Sequence, residues 1–253
     1  MSHFNLSVIT KDWASRDDLE KILYPYSESY KVKPYISMTK KEVIDEKEKI
    51  VKEDWAKKYA NCSYEEFVKK YYGEDSELDS KGNLLSTSNP NAKWDWFEIG
   101  GRWKGMLLLK KEHHGKNSRV NTACIKSIDW EKLNKLSEAD EAYWSRFWDI
   151  AIEGKEKTAL EKEKHKFIVL YKKEYYLENY RNKEKFLERA GKFATHAVIT
   201  PDRKWHEIGK MGFWGICVPG AEKGEEWELG FYDRFIKPYL DSDFKITIAD
   251  CHI

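Results

Sequence analysis

The chain has 253 residues, 41% of them hydrophobic and 35% charged, a globular composition that excludes a disordered polymer and allows a sizeable core. Its 45 Lys and Arg stand against 44 Asp and Glu, a net charge of +1, so no global basic field gathers nucleic acid and any anion binding has to be local. No apolar run approaches the roughly 20 residues of a membrane span, and Cys62, Cys124, Cys217 and Cys251 are scattered without a C-x-x-C pair, which predicts reduced thiols in a cytoplasmic protein with no secretory leader.

In chain order, Phe4 to Ile9 alternates apolar and polar residues and predicts a half-buried strand. Ser15, three residues before Asp18, predicts the cap of a helix carrying Leu19, Ile22 and Leu23, which weakens at Pro25-Tyr26-Ser27. Lys31 to Met38 reads as a second strand, Lys40 to Tyr59 as a charged helix, and Ser63 to Glu66 as a capping box opening a helix through Tyr72, which Gly73 ends. A polar loop over Glu74 to Asn91 leads into a tryptophan-rich run, and Gly105 to Lys110 reads as a strand after it. Trp130 to Ile152 has helical periodicity, Glu153 to Lys166 is a solvated charge run, Phe167 to Leu170 is strand-like, and Lys183 to Lys192 is a further helix.

Toward the carboxyl end, Ala194 to Thr200, a return strand at Trp205, and Phe213 to Val218 read as strands. A helix from about Glu225 to Tyr239 carries Trp227, Phe231 and Phe235 at i,i+4 spacing, a core face first and a docking face second, and Phe244 to Cys251 closes as a strand. This order predicts a single α+β domain over residues 1–253, its helices packed on one mixed or antiparallel sheet formed from both the N- and C-terminal segments, with a helical, highly charged central region at about 127–192.

The densest chemistry lies between Ser88 and Trp103, which holds Trp94, Trp96 and Trp103, the pair Gly100-Gly101, and Arg102. In an extended segment Trp94 and Trp96 share a face and could sandwich a planar base. Gly100 and Gly101 could turn backbone N–H groups into an anion nest beside Arg102, with Lys93 and Asn89 assisting. The competing reading uses the tryptophans as core, the glycines as a tight bulge, and Arg102 as a partner of Asp95 or Glu98. A second group comprises His196, His206, Asp250 and His252, suited to proton transfer or metal binding, but its spacing matches no zinc-binding pattern and Asp250 and His252 more simply share a face at the sheet edge, so no metal and no cofactor are expected. His113-His114 reads as an exposed loop pair, and His165 sits in a charged stretch. G-x-G-x-x-G, the P-loop and the G-x-S-x-G elbow do not occur.

The run Asn89-Pro90-Asn91-Ala92-Lys93-Trp94-Asp95-Trp96 followed by Ile99-Gly100-Gly101-Arg102-Trp103, together with Leu23-Tyr24-Pro25-Tyr26, Gly212-Phe213-Trp214-Gly215 and Asp250-Cys251-His252-Ile253, resembles proteins of uncharacterised function encoded by bacteriophages and related mobile elements. The resemblance implies an accessory protein expressed in a bacterial cytoplasm and transfers no catalytic residues. The resulting expectation is a protein that binds a small phosphate-bearing nucleotide, sequestering a host immune signal, through Asn89, Lys93, Trp94, Trp96, Gly100, Gly101, Arg102 and Trp103. Binding is favoured over hydrolysis. The alternatives are a nucleotide-degrading phosphodiesterase using His196, Asp250 and His252, and an inhibitor that docks on a host protein; neither a nucleic-acid nor a membrane partner is expected, and the oligomeric state stays open.

Overall fold

The computed structural model describes residues 2–113, 115–209 and 221–253. Strands are β1 (His3–Thr10), β2 (Tyr35–Met38), β3 (Glu77–Leu78), β4 (Leu84–Ser86), β5 (Phe97–Ile99), β6 (Leu107–Leu108), β7 (Arg119–Val120), β8 (Thr122–Cys124), β9 (Ala197–Ile199), β10 (Trp205–Glu207) and β11 (Lys245–His252). Helices are α1 (Arg16–Leu23), α2 (Lys40–Ile50), α3 (Tyr64–Tyr72), α4 (Trp130–Leu133), α5 (Glu138–Ala151), α6 (Ala159–Glu163), α7 (Lys173–Tyr180), α8 (Lys183–Ala190) and α9 (Ala221–Phe231). The fold is α+β, with a mixed sheet assembled from N- and C-terminal strands. Where one domain is expected from the sequence, tertiary contacts gather into two compact units, residues 1–23 with 94–253, and residues 24–93.

In the larger unit the sheet runs β10-β9-β1-β11-β5, with β8 also on β11. β11 is its centre. One edge pairs antiparallel with β1 over all eight residues, from His3 opposite His252 to Thr10 opposite Lys245; the other edge takes β5 beside Ala249–Cys251 and β8 beside Lys245–Thr247. β1 and β9 are parallel, and β9 and β10 form an antiparallel hairpin around the expected turn. Alternation sends Ile9, Ile246, Ile248 and Val198 into one core with Trp227, Phe231 and Phe235. The last three meet successively edge-on or tilted, with ring centroids 5.6 and 5.3 Å apart, so the aromatic stripe is a core face. The helix carrying it continues past Phe231 as a π-helical turn to Ile236 and a 3-10 turn to Tyr239.

Ser15 caps α1 reciprocally with Asp18, its hydroxyl accepting the Asp18 N–H at 3.2 Å while its own N–H donates to the carboxylate at 3.1 Å. The helix expected over Trp130–Ile152 is broken in two, because Asn134 caps α4 and Ser137 starts α5 by accepting the Asp140 N–H. Phe167–Leu170 forms no strand. Phe167 is buried at a φ of +57°, and that left-handed kink leaves Ile168 and Leu170 exposed. Downstream, α7 occupies residues to which the sequence assigns no element. The expected strand Phe213–Val218 and the motif Gly212-Phe213-Trp214-Gly215 lie outside the described residues.

The smaller unit has its own core of Val43, Ile50, Ala56, Tyr59, Phe67, Val68 and Leu84. Its α2 and α3 carry full capping boxes, Thr39 with Glu42 and Ser63 with Glu66, and Gly73 ends α3 at a φ of +122°. The strand expected over Lys31–Met38 starts only at Tyr35 and belongs to a separate sheet, β2-β4-β3, so it does not extend the sheet of β1. Part of the polar run Glu74–Asn91 supplies β3 and β4, a hairpin that buries Leu84.

Phe231 is fully buried at the centre of the larger core, and Phe231→Ala is expected to cost about 3–5 kcal/mol in urea denaturation. A loss below about 1 kcal/mol would contradict this packing.

Candidate functional site

The register of β11 between β1 and β5 determines which polar side chains meet. His3 faces His252 and Asn5 faces Asp250 across one ladder, while Glu98 faces Asp250 across the other; residues in register share a face. His3, Asp250 and His252 therefore lie on one side of the sheet, and Phe4 and Cys251 on the other. Cys251 is fully buried, and burial pushes its thiol far up, out of nucleophile range.

Asp250 is almost wholly enclosed. Its Oδ1 accepts from His3 Nδ1 at 2.8 Å and its Oδ2 from the Arg102 backbone N–H at 2.9 Å. The turn that delivers this N–H needs both glycines: Gly100 has a φ of +79° and Gly101 of +46°, and a Cβ on Gly101 would stand 2.4 Å from the Asp250 carboxylate, while one on Gly100 would stand 2.4 Å from the Asn121 amide. One backbone N–H of the turn, that of Arg102, is thus taken by the protein's own Asp250, while the Gly100 N–H goes to Ile248 O.

His252 is held from three sides. Its Nδ1 lies 2.6 Å from Asp95 Oδ1; a carboxylate only accepts, so Nδ1 carries the proton and donates. The Trp96 ring lies flat on the imidazole, with centroids 5.2 Å apart and planes 17° apart, and His3 meets both rings edge-on at 5.0 and 5.5 Å. Backbone bonds fasten the arrangement, since Asp95 N–H donates to His252 O and His252 N–H donates to Trp96 O, both at 3.0 Å. With Nδ1 occupied, Nε2 is left buried and without a hydrogen-bond partner among the described residues. An orphaned buried nitrogen of this kind is costly in a purely structural role.

The residues expected to bind ligand separate here. The chain bends at Asp95, so Trp94 and Trp96 do not form a sandwich: Trp94 is 5% exposed, donates its indole N–H to Leu23 O at 3.1 Å and meets Phe97 edge-on, whereas Trp96 is 43% exposed. Trp103 packs against the large core. Arg102 is exposed, and among the described residues it forms no ion pair with Asp95 or Glu98. In the smaller unit, buried Asn89 spends its amide on Pro25 O, Ser27 O and the Asn91 N–H, and the Lys93 N–H donates to Tyr26 O.

The histidine group separates as well. His196 rests on Phe4 with centroids 5.1 Å apart, against a residue of the face opposite Asp250, and His206 sits on β10 against Phe235, where burial holds its imidazole below its usual value. Asp250 and His252 do share a face, but their partners are His3 and Asp95, which sequence reasoning did not select. No local signal marks His3; only the pairing of β1 with β11, across 249 positions for His3 and His252, brings it in. His113 and His165 are exposed, and His114 lies outside the described residues. Among the described residues no group of three or more His, Cys, Asp or Glu is arranged to hold a metal ion, no helix is long and apolar enough to cross a membrane, and Cys62, Cys124 and Cys251 are free thiols.

No family model, no curated protein and no solved structure matches the chain.

Gly101→Ala should lower stability by about 2–4 kcal/mol, from left-handed strain together with the clash on Asp250, whereas Arg102→Ala should stay within about 0.5 kcal/mol because only its backbone is used. Parallel urea melts of the two variants check this, and equal losses would contradict the division of roles.

Proposed function

We propose that the surface of Trp96, Arg102 and the His252–Asp95 pair binds a small phosphate-bearing nucleotide. The observation that carries this reading is the exposed Trp96 ring, which is 43% accessible and stacked rigidly on a histidine that Asp95 orients. A half-exposed indole held by its own stack is a preorganised platform for a base. Arg102 extends from the turn that binds Asp250, and its guanidinium is suited to bidentate contact with phosphate. In this reading Trp94, Gly100 and Gly101 build the site, and the ligand meets Trp96 and Arg102. The resemblance to phage-encoded proteins makes sequestration of a host nucleotide signal in a bacterial cytoplasm the biological form of the proposal.

A second reading, hydrolysis of the nucleotide, is favoured by the orphaned His252 Nε2. A histidine fixed through Nδ1 by a carboxylate presents Nε2 for proton transfer, and His3, held likewise by Asp250, supplies a second imidazole 5.0 Å away, centroid to centroid. In this form the acid–base residues are His252 and His3, not His196.

The two readings part in one experiment. The purified protein is mixed with cyclic nucleotides and ADP-ribose derivatives, washed by ultrafiltration and denatured, and the released compounds are identified by mass spectrometry. Binding predicts recovery of one intact nucleotide, with affinity at least about tenfold lower in Arg102→Ala, or about 1.4 kcal/mol, at unchanged melting temperature. Hydrolysis predicts a new mass that disappears in His252→Gln and persists in His196→Ala. No retained or converted nucleotide from the whole panel would overturn both and favour a protein partner.

A further inference from the structure

A second concave site lies in the helical region of the larger unit. Between α5, α7, α8 and the segment preceding α7 opens a pocket of about 370 Å³, lined chiefly by Trp144, Leu170, Tyr171, Tyr175 and Tyr180, with the charged pair Arg189 and Glu228. It shares no residue with the His252 group. Its volume lies within the range of small-molecule sites, which are typically aromatic and apolar with a few polar groups for orientation.

The wall is rigid. Phe147, Tyr176 and Phe186 of the lining belong to a buried cluster with Trp148, and Tyr171 stacks on Tyr175 with centroids 4.1 Å apart. Ile168 and Leu170 in the pocket lining are 68% and 77% exposed, an apolar surface turned to water beside an open cavity rather than into the adjacent core. The polar element is equally well built. The Arg189 side chain is 4% exposed, its Nε donates to Glu228 at 2.6 Å, its Nη1 donates to Asn179 O at 2.5 Å, and its guanidinium lies over the Tyr180 ring at 4.3 Å. Burial raises the Glu228 carboxyl above its usual value.

We propose that this pocket binds a neutral aromatic molecule of one or two fused rings, stacked among the tyrosines and hydrogen-bonded to the Arg189–Glu228 pair. Neutrality follows from charge balance: the pair already compensates itself, so a charged ligand brings an unmatched charge beside the largely buried Arg189 guanidinium or breaks the pair. Aromaticity follows from the lining, whose ring faces and edges complement another ring better than an alkyl chain.

Saturation-transfer NMR and calorimetric titration with indole and adenine test the proposal, with indole-3-acetate and tryptamine as anionic and cationic controls. The expected result is binding of a neutral probe at least about tenfold tighter than of either charged analogue. Tyr175→Ala should weaken it by a similar factor, and Leu170→Glu, at an exposed position that leaves folding intact, should weaken it as well. No binding of either neutral probe up to about 5 mM, equal binding of the charged analogues, or affinity unaltered in both pocket variants would overturn the proposal.

Discussion

The antiparallel register of β1 against β11 is the constraint on which the rest of the larger unit depends. Eight consecutive residue pairs align the two strands from His3 and His252 to Thr10 and Lys245. A slip of one residue would turn every side chain of one strand to the opposite face, moving Ile246 and Ile248 out of the core and His252 and Asp250 away from His3. Core and polar site are thus two ends of one decision: the same alternation that feeds isoleucines to the aromatic stripe of α9 places histidine and aspartate beyond the edge of that core.

The Gly100-Gly101 turn closes the polar end. The Arg102 N–H that the turn delivers is met internally by the Asp250 carboxylate, which holds His3 in the same act. Gly100 is also tied to the sheet through its N–H on Ile248 O, while the Asn121 amide below it accepts from Gly105. The density of glycine and arginine that draws attention in the sequence is therefore largely architectural. What it builds is an oriented pair of imidazoles under an exposed tryptophan, and the chemical potential of the site lies in Trp96, His252 and the free end of Arg102.

Local interactions were legible in the sequence and remote ones were not. The caps at Ser15 and Ser63, the strands β1 and β11, and the i,i+4 stripe of Trp227, Phe231 and Phe235 are written in neighbouring residues and appear where the spacing puts them, although both strands are buried on both faces rather than half-buried as their alternation predicts. Phe167–Leu170 has strand-forming residues but no partner strand, and a left-handed Phe167 decides the matter. The tyrosines of α7 blur its amphipathic pattern, since each has an apolar ring and a polar end. Lys31–Met38 looks like a neighbour of β1 only until the β3–β4 hairpin, hidden in polar sequence, offers it an alternative edge. The sequence offers Asp95 only as a partner for Arg102 and gives His3 no role, because their contacts with His252 and Asp250 arise from a bend and from a pairing across almost the whole chain.

The central claim is that Asp95 fixes the His252 proton on Nδ1 and that His252 in turn supports the exposed Trp96 ring proposed to meet a nucleotide. Nitrogen-15 NMR of the histidine rings, recorded with and without the nucleotide panel, tests it most directly. The account predicts that the His252 proton resides on Nδ1 in the free protein and that the Nε2 resonance moves when a phosphate-bearing nucleotide is added. A proton found on Nε2 alone, or a nucleotide that binds while leaving His252 unmoved, would contradict it.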